Sequence, residues 1–361
     1  MSTTFTHLCV VASLAAALAA QNHVVAPAAN TTTDALSYEW FAGAEQPLRQ
    51  QILVGPSHLT AMIGREITAI ELRRTAVTEA YAGGSTTIAL DLSTSPNAPL
   101  TASNAFVDNI GPNLTNAFQG VITIPASPAT SPAGSQVTWS TSNIIRIPVT
   151  SPFTYTGGTL CIDITGTPIA GQNTWWMADA AEEVIPGGPL VELGPGCGVY
   201  GGPQHQWSTV LRRSLVPGGR GVFRAHGPVG SVGFAFFGEG LPAPFPLSVI
   251  GIPTPGCNCY LDPLQPIVAI PALFVTETHP LLGSFASAEI TIALPAVPQV
   301  LGFQMTTQWF EFSQLALSNA IRWQIASAIP TLDMALVEGD PAGATGTLTT
   351  YLAPVLRFEY Q

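Results

Sequence analysis

Ile144-Ile-Arg-Ile-Pro-Val-Thr-Ser-Pro-Phe-Thr-Tyr-Thr-Gly-Gly-Thr-Leu-Cys-Ile-Asp-Ile-Thr-Gly166 is the stretch whose reading decides the fold. Ile145, Ile147 and Val149 alternate with Arg146 and Pro148, and Leu160, Ile162 and Ile164 alternate with Cys161, Asp163 and Thr165. A period of two puts one set of side chains in a core and the other outward, which is the pattern of strands. Tyr155-Thr-Gly-Gly158 lies between them and supplies turn residues, because glycine reaches positive φ without a Cβ clash. The stretch reads as a hairpin of a β-sandwich, and it carries no chemistry.

Working outward, the same texture recurs. Ile88, Leu90 and Leu92 share one face of Thr86–Leu92, and Phe118–Ile124 is another strand. Ile67–Arg74 is strand-like with imperfectly sorted faces: Ile67, Ala69, Glu71 and Arg73 on one, Thr68, Ile70, Leu72 and Arg74 on the other. Beyond the Gly/Pro-rich loop of 182–206, seven further apolar segments between Val232 and Phe358 are spaced by Pro and Gly. The chain is therefore expected to be all-β, with two antiparallel β-sandwich domains. The first, residues 37–228, is expected to be jelly-roll-like. The second, 229–361, is expected to be smaller and Ig-like. Gly at 34 and Pro at 32 residues suit many short strands joined by turns better than helices.

Hydrophobic residues make up 47% of the chain and charged residues 9%, so the surface must be built largely from Thr, Ser, Asn, Gln and backbone. All 11 basic residues are arginine. A net charge of −11 excludes a nucleic-acid partner, since little would neutralise phosphates, and disfavours anionic membrane surfaces. Residues 1–20 read as a secretory signal: Leu8–Ala20 is apolar and Ala17-Leu-Ala19 fits a small-x-small cleavage site. No stretch reaches the roughly 18 uninterrupted apolar residues of a transmembrane span. Residues 21–36 read as a flexible leader. The expected location is extracellular or at the cell surface.

Four cysteines follow the signal: Cys161, Cys197, Cys257 and Cys259. An even number in an exported chain points to disulfides, with Cys161–Cys197 the preferred pair. Cys257 and Cys259 are too close for an ordinary unstrained bridge within one strand, which leaves a tight-turn bridge as the alternative for that pair.

Several further segments carry a resemblance. Ile70-Glu-Leu-Arg-Arg74, Gly83-Gly84, Leu92-Ser-Thr-Ser-Pro-Asn97, Phe118-Gln-Gly120, Pro152–Leu160, Pro255-Gly-Cys257 and Leu317-Ser-Asn-Ala320 are similar to segments of uncharacterised secreted proteins of planctomycete-type bacteria. The resemblance implies an exported all-β protein and transfers no catalytic residue.

The motifs for chemistry are sparse. Gly196-Cys-Gly-Val-Tyr-Gly201 matches GxGxxG but lacks the following helix that a dinucleotide needs. The histidines after the signal (His23, His58, His205, His226, His279) show no metal-ligand spacing, and no GxSxG elbow exists. Asp91, Asp108 and Asp163 are oxygen donors of the kind calcium uses, without a calcium-loop motif to gather them. No metal or cofactor is implied. Asp163, Asp179, Glu182 and Glu183 are the acids from which a glycoside-hydrolase pair could be drawn. Trp175-Trp176 is the pair of greatest interest: one ring should face the core and the other outward, where it could stack on a sugar with Asn173 and Asp179 as polar partners. The expectation is a non-catalytic structural or interaction protein whose partner is a polysaccharide or a protein. A carbohydrate-binding module using Trp175 or Trp176 is the alternative, and a glycan-active hydrolase the third reading.

Overall fold

In the computed structural model two β-sheets face each other across the larger of two cores. The structure describes residues 22–361 apart from 36, 131–136, 173, 184–188, 198–207, 211–214, 252–255 and 280–282. One sheet has four strands in the spatial order Asn22–Ala26, Leu356–Tyr360, Arg65–Arg73, Ile144–Tyr155. The other has six, in the order Thr347–Thr349, Met334–Gly339, Leu48–Val54, Thr159–Pro168, Gly84–Ser95, Thr115–Ile124. Ile67, Leu72, Ile145, Ile147, Phe153 and Phe358 of the first meet Ile52, Ile88, Leu90, Leu92, Ile162 and Ile164 of the second. A three-stranded sheet (Ser37–Trp40, Met177–Glu182, Leu352–Pro354) completes this unit.

The stretch 144–166 supplies strands to this sandwich but is not a hairpin. Ile144–Tyr155 pairs with Arg65–Arg73, whereas Thr159–Pro168 pairs with Leu48–Val54 and Gly84–Ser95 in the opposite sheet. The turn at 156–158 is the corner by which the chain crosses between layers. Gly157 and Gly158 hold φ at 106° and 85°, and the Tyr155 hydroxyl donates to Gly158 O at 2.5 Å. A two-strand periodicity specifies which face is buried, not which strand lies alongside.

A second sandwich has its own core. Val191–Gly194, Ala320–Gln324, Gln304–Glu311, Val232–Gly238 and Val268–Leu273 lie side by side in one sheet. Ser208–Val210, Arg220–His226, Gly283–Ala293 and Val275–His279 form the other. Phe223, Phe237, Ile290, Trp309 and Trp323 pack between them. The fold is all-β, and its ladders are antiparallel.

The boundary expected at 228/229 is not where the sheets divide. Strands from Val191 to His226 join the second sandwich, and Met334–Gly339 onward returns to the first. The second unit is thus an insertion between about residues 190 and 326 of the first. Its two chain crossings are stitched together by Glu183. That carboxylate accepts Thr331 N–H at 2.6 Å, the Thr331 hydroxyl at 2.9 Å and Leu332 N–H at 2.8 Å. Sequence order alone suggested two consecutive domains because strands carry no mark of the sheet they join.

The leader expected at 21–36 is likewise structured. Asn22–Ala26 pairs along its full length with Leu356–Tyr360, and Asp34 and Ala35 are buried. It covers the outer face of the four-stranded sheet together with Trp139, over which Arg73 and Arg357 lie at 4.9 and 4.6 Å. This cover explains the imperfect sorting of Ile67–Arg74: Ala69, Glu71 and Arg73 are as buried as Ile70, Leu72 and Arg74. The proposed signal segment, residues 1–20, lies outside the described residues. Among the described residues no helix is long and apolar enough to cross a membrane.

The closing strand should dominate stability. Phe358 is fully buried, and Phe358→Ala is expected to cost about 3–5 kcal/mol. Urea unfolding followed by tryptophan fluorescence measures this, and a cost under about 1 kcal/mol would contradict the packing described.

Candidate functional site

Trp175 and Trp176 do not form an exposed platform. Trp176 is 0% exposed and packs edge-on to Phe41, with ring centroids 6.2 Å apart. Trp175 is half-buried, edge-on to Tyr81 at 5.0 Å and to Trp40 at 5.6 Å. The pair plugs the space where the three-stranded sheet meets the main sandwich. Both rings precede the Met177–Glu182 strand, so strict in/out alternation does not apply to them. Asp179 is also 0% exposed: it accepts Arg73 Nη2 at 2.5 Å and Ala35 N–H at 2.9 Å. A buried carboxylate spent on a guanidinium and a peptide N–H has little left for a sugar hydroxyl. Asn173 lies outside the described residues.

The other acids are equally committed. Asp163 binds Arg49 in a fork, Nε at 2.9 Å and Nη2 at 2.6 Å, and also accepts Gln51 Nε2 at 2.9 Å. Glu183 holds the interdomain crossing described above. Asp91 faces Asp163 across the Gly84–Ser95 ladder but accepts Asn116 Nδ2 at 2.9 Å, while Asp108 accepts the Ser103 hydroxyl at 2.7 Å. Among the described residues no group of three or more His, Cys, Asp or Glu side chains could hold a metal ion. His58 Nε2 meets Leu332 O at 2.8 Å, His226 ends a strand of the second sandwich, and His205 lies outside the described residues.

A carboxyl pair that sequence spacing could not reveal lies elsewhere. Glu39 and Glu338, 299 positions apart in the chain, hydrogen-bond to each other, which requires a proton between them. Buried Gln50 clamps the pair, donating through Nε2 to Glu338 Oε1 at 2.6 Å and to Trp40 O at 2.7 Å. Burial, then the Glu338 charge, pushes Glu39 up from its ordinary 4.5 to about 8, with Glu182 adding to the effect. Burial and neighbouring Asp34 likewise raise Asp179 to about 7, against the pull of Arg73. Two carboxyls in direct hydrogen bond are closer than the roughly 5–10 Å that glycoside hydrolysis uses.

The disulfide also differs from the expected pairing. Cys197 bonds Cys257, with Cα atoms 4.9 Å apart, and Cys161 is a free, buried thiol. Cys161 lies in the six-stranded sheet of the first sandwich, beside Ser93 in the ladder, whereas Cys197 packs against the Ala316–Leu317 strand of the second sandwich.

The arrangement with the character of a ligand site is a cleft of about 450 Å³ on the outer face of the second sandwich. Its wall is the paired edge of Gln304–Glu311 and Ala320–Gln324, where Gln304 faces Gln324 and Thr306 faces Arg322. Phe303, Gln304, Thr306 and Arg322 line it, with Glu239 and Gln265 across from them. Phe303 is 47% exposed, while its ring lies edge-on to Trp323 with centroids 6.5 Å apart and its N–H donates to Val300 O. Arg322 is exposed and has no ion-pair partner among the described residues. The Thr306 hydroxyl is buried and has no hydrogen-bond partner among the described residues. Gly240 lets the chain lie against it, since a Cβ there would sit 2.4 Å from Thr306 Oγ1. The sequence signal was the single aromatic after Gly302, inside a segment that reads simply as strand. A second cleft of about 440 Å³, where 100–104 meets Gly218 and 293–296, has no charged lining residue.

Comparison with protein families, with curated proteins and with solved structures finds no match to this chain.

Two outcomes follow from the buried charges. Arg73→Met is expected to cost about 3–5 kcal/mol, because it strands Asp34 and Asp179 without their cation. Adding Asp179→Asn should recover part of the loss, and a double-mutant cycle by urea unfolding reads it. The raised carboxyls set the pH dependence. Between their ordinary and raised values, 4.5 to about 8 for Glu39 and 3.8 to about 7 for Asp179, the folded chain binds protons that the unfolded chain releases. Their contribution to stability is therefore fully present below that window and falls as pH rises through it. Glu39→Gln should flatten the decline between about pH 5 and pH 8 by on the order of 1 kcal/mol, allowing for its partial exposure.

Proposed function

We propose that this is an exported, non-catalytic binding protein of the extracellular space or cell surface, with polysaccharide as its ligand. The observation that carries the ligand class is the exposed Phe303 ring set among amide, guanidinium and carboxylate groups in one cleft. A sugar offers an apolar ring face for stacking and hydroxyls for planar donors and acceptors. Asp163, Asp179 and Glu183 serve as ion-pair partners and backbone clamps, which favours binding over bond cleavage. The apolar stretch before residue 21 and the Cys197–Cys257 bridge support export to an oxidising compartment. On this reading the chain found outside the cell is shorter by about 20 residues, and intact-mass measurement checks it.

A protein partner is the second reading. It is favoured by the edge strand Val268–Leu273, whose Val268 and Leu273 are each 54% exposed. Pro271, which has no N–H to donate, sits within that edge and limits its use for strand addition.

The test is pull-down of the purified protein on a panel of soluble and insoluble polysaccharides. Saturable binding is expected, with Phe303→Ala and Arg322→Ala each weakening it about tenfold while the fold is retained. Binding unchanged in both variants, or binding to no member of the panel, would overturn the glycan assignment.

A further inference from the structure

Acids outnumber bases 22 to 11 in this chain, so a guanidinium without an acid is out of pattern. Arg49, Arg73, Arg146, Arg224 and Arg357 each pair with a carboxylate, and Arg74 donates to backbone carbonyls. Of the described arginine side chains, only Arg65 and Arg322 stand outside such bonds. Arg65 opens a strand of the first sandwich and lines neither cleft. Arg322 lines the cleft beside Phe303. Its ladder neighbours are Thr306 and Val191, so no acid stands directly opposite it on its own sheet. Gln304 Nε2 donates to Gln324 Oε1 at 3.0 Å, which leaves Gln304 Oε1 as an unspent acceptor on the same face. The other charged group among the described lining residues is Glu239, at the junction of Val232–Gly238 and Gly240–Pro246. Glu239 is exposed and does not pair with Arg322, and its carbonyl accepts Asp262 N–H at 2.8 Å.

A guanidinium is a planar fork that meets a carboxylate with two parallel hydrogen bonds. An exposed aromatic ring offers a flat apolar face. Together they fit a sugar that carries its own acid. We propose that the cleft selects a uronic-acid unit, its carboxylate on Arg322 and its ring face on Phe303, set in an otherwise neutral polysaccharide. This rests on the glycan reading of the same cleft and names the sugar within it. The neutral setting of that unit follows from charge. Glu239 repels a second carboxylate in the cleft but accepts hydrogen bonds from the hydroxyls of a neutral neighbour. The net charge of −11 opposes a polymer that is ionised at every unit. At physiological salt that long-range repulsion is screened beyond about 8 Å, so it does not bar a single acid that reaches Arg322. The pair formed there is exposed, so it acts as a selector added to ring stacking and not as the main source of affinity.

The test is isothermal titration of the full-chain protein with two sparsely acidic polymers, a xylan branched with glucuronic acid and a largely methyl-esterified pectin. Each is paired with its carboxyl-reduced form, which keeps the sugar ring and loses the charge. The wild type is expected to bind at least one acidic polymer about tenfold more tightly than its reduced partner. Added salt should narrow that gap. Arg322→Gln should bind both forms alike, at the affinity the wild type has for the reduced one. Phe303→Ala should weaken both forms by the same factor. Equal wild-type affinity for the acidic and reduced forms sinks the uronate assignment and leaves the glycan reading standing. A gap that persists in Arg322→Gln also counts against it, because the acid is then read elsewhere. Tighter binding of a sulfated galactan than of either acidic polymer would assign Arg322 to a sulfate ester instead. Binding to none of these polymers removes the uronate assignment and the glycan reading together.

Discussion

The strand Leu356–Tyr360 is the constraint on which the larger sandwich depends. It lies inside a sheet, hydrogen-bonded to Asn22–Ala26 on one side and to Arg65–Arg73 on the other. The last strand of the chain therefore holds the first strand in place, and among the described residues Asn22–Ala26 pairs with no other strand. The sandwich cannot be closed until the whole inserted unit has been threaded out and back. The entropic cost of so long a loop grows only slowly with its length. Glu183, bonded to 331 and 332, keeps the outgoing and returning strands together.

Charge is scarce and much of it is spent inside. Arg146 and Arg357 flank Glu71 across adjacent strands of the four-stranded sheet, and Glu359 joins the same row. Arg73 joins that sheet to the three-stranded one through Asp179, and Arg49 binds Asp163 on a central strand of the six-stranded sheet. Buried ion pairs repay their desolvation only when hydrogen-bonded on all sides, and these are linked to backbone as well as to each other. Where acids outnumber cations, as at Glu39 and Glu338, the structure keeps a proton instead. Protonation thus does the work that a second arginine would do elsewhere, and it ties the fold to pH.

The inserted sandwich is held differently. Its core is aromatic, with Phe223 edge-on to Phe237 at 4.9 Å and close to Trp323 at 5.1 Å. Its outer face carries a satellite cluster pinned by the Cys197–Cys257 bridge. The cleft with Phe303 and Arg322 lies on this same outer face, so the proposed binding surface and the disulfide cluster share one sheet. Rigid backbone pairing beneath the cleft fixes the spacing of its polar groups, and Gly240 sets how closely the covering strand approaches.

The sequence by itself determined the strand character and the buried faces. Ile88, Leu90 and Leu92, or Leu160, Ile162 and Ile164, declare their core side through a period of two, and that signal is local. Pairing is not local. Nothing in Ile144–Gly166 distinguishes a hairpin from a corner between sheets, and nothing in residues 22–26 announces a partner more than 300 positions away. The aromatic pair Trp175-Trp176 is conspicuous because its chemistry is concentrated in two adjacent letters, yet packing between sheets buries Trp176 and half-buries Trp175. The Glu39–Glu338 pair and the Phe303 cleft were inconspicuous because their parts are scattered along the chain and meet only through ladder register. Residue type and local period set what each segment can bury; only the tertiary structure decided which segments meet, because that choice rests on the free energy of the whole assembled core.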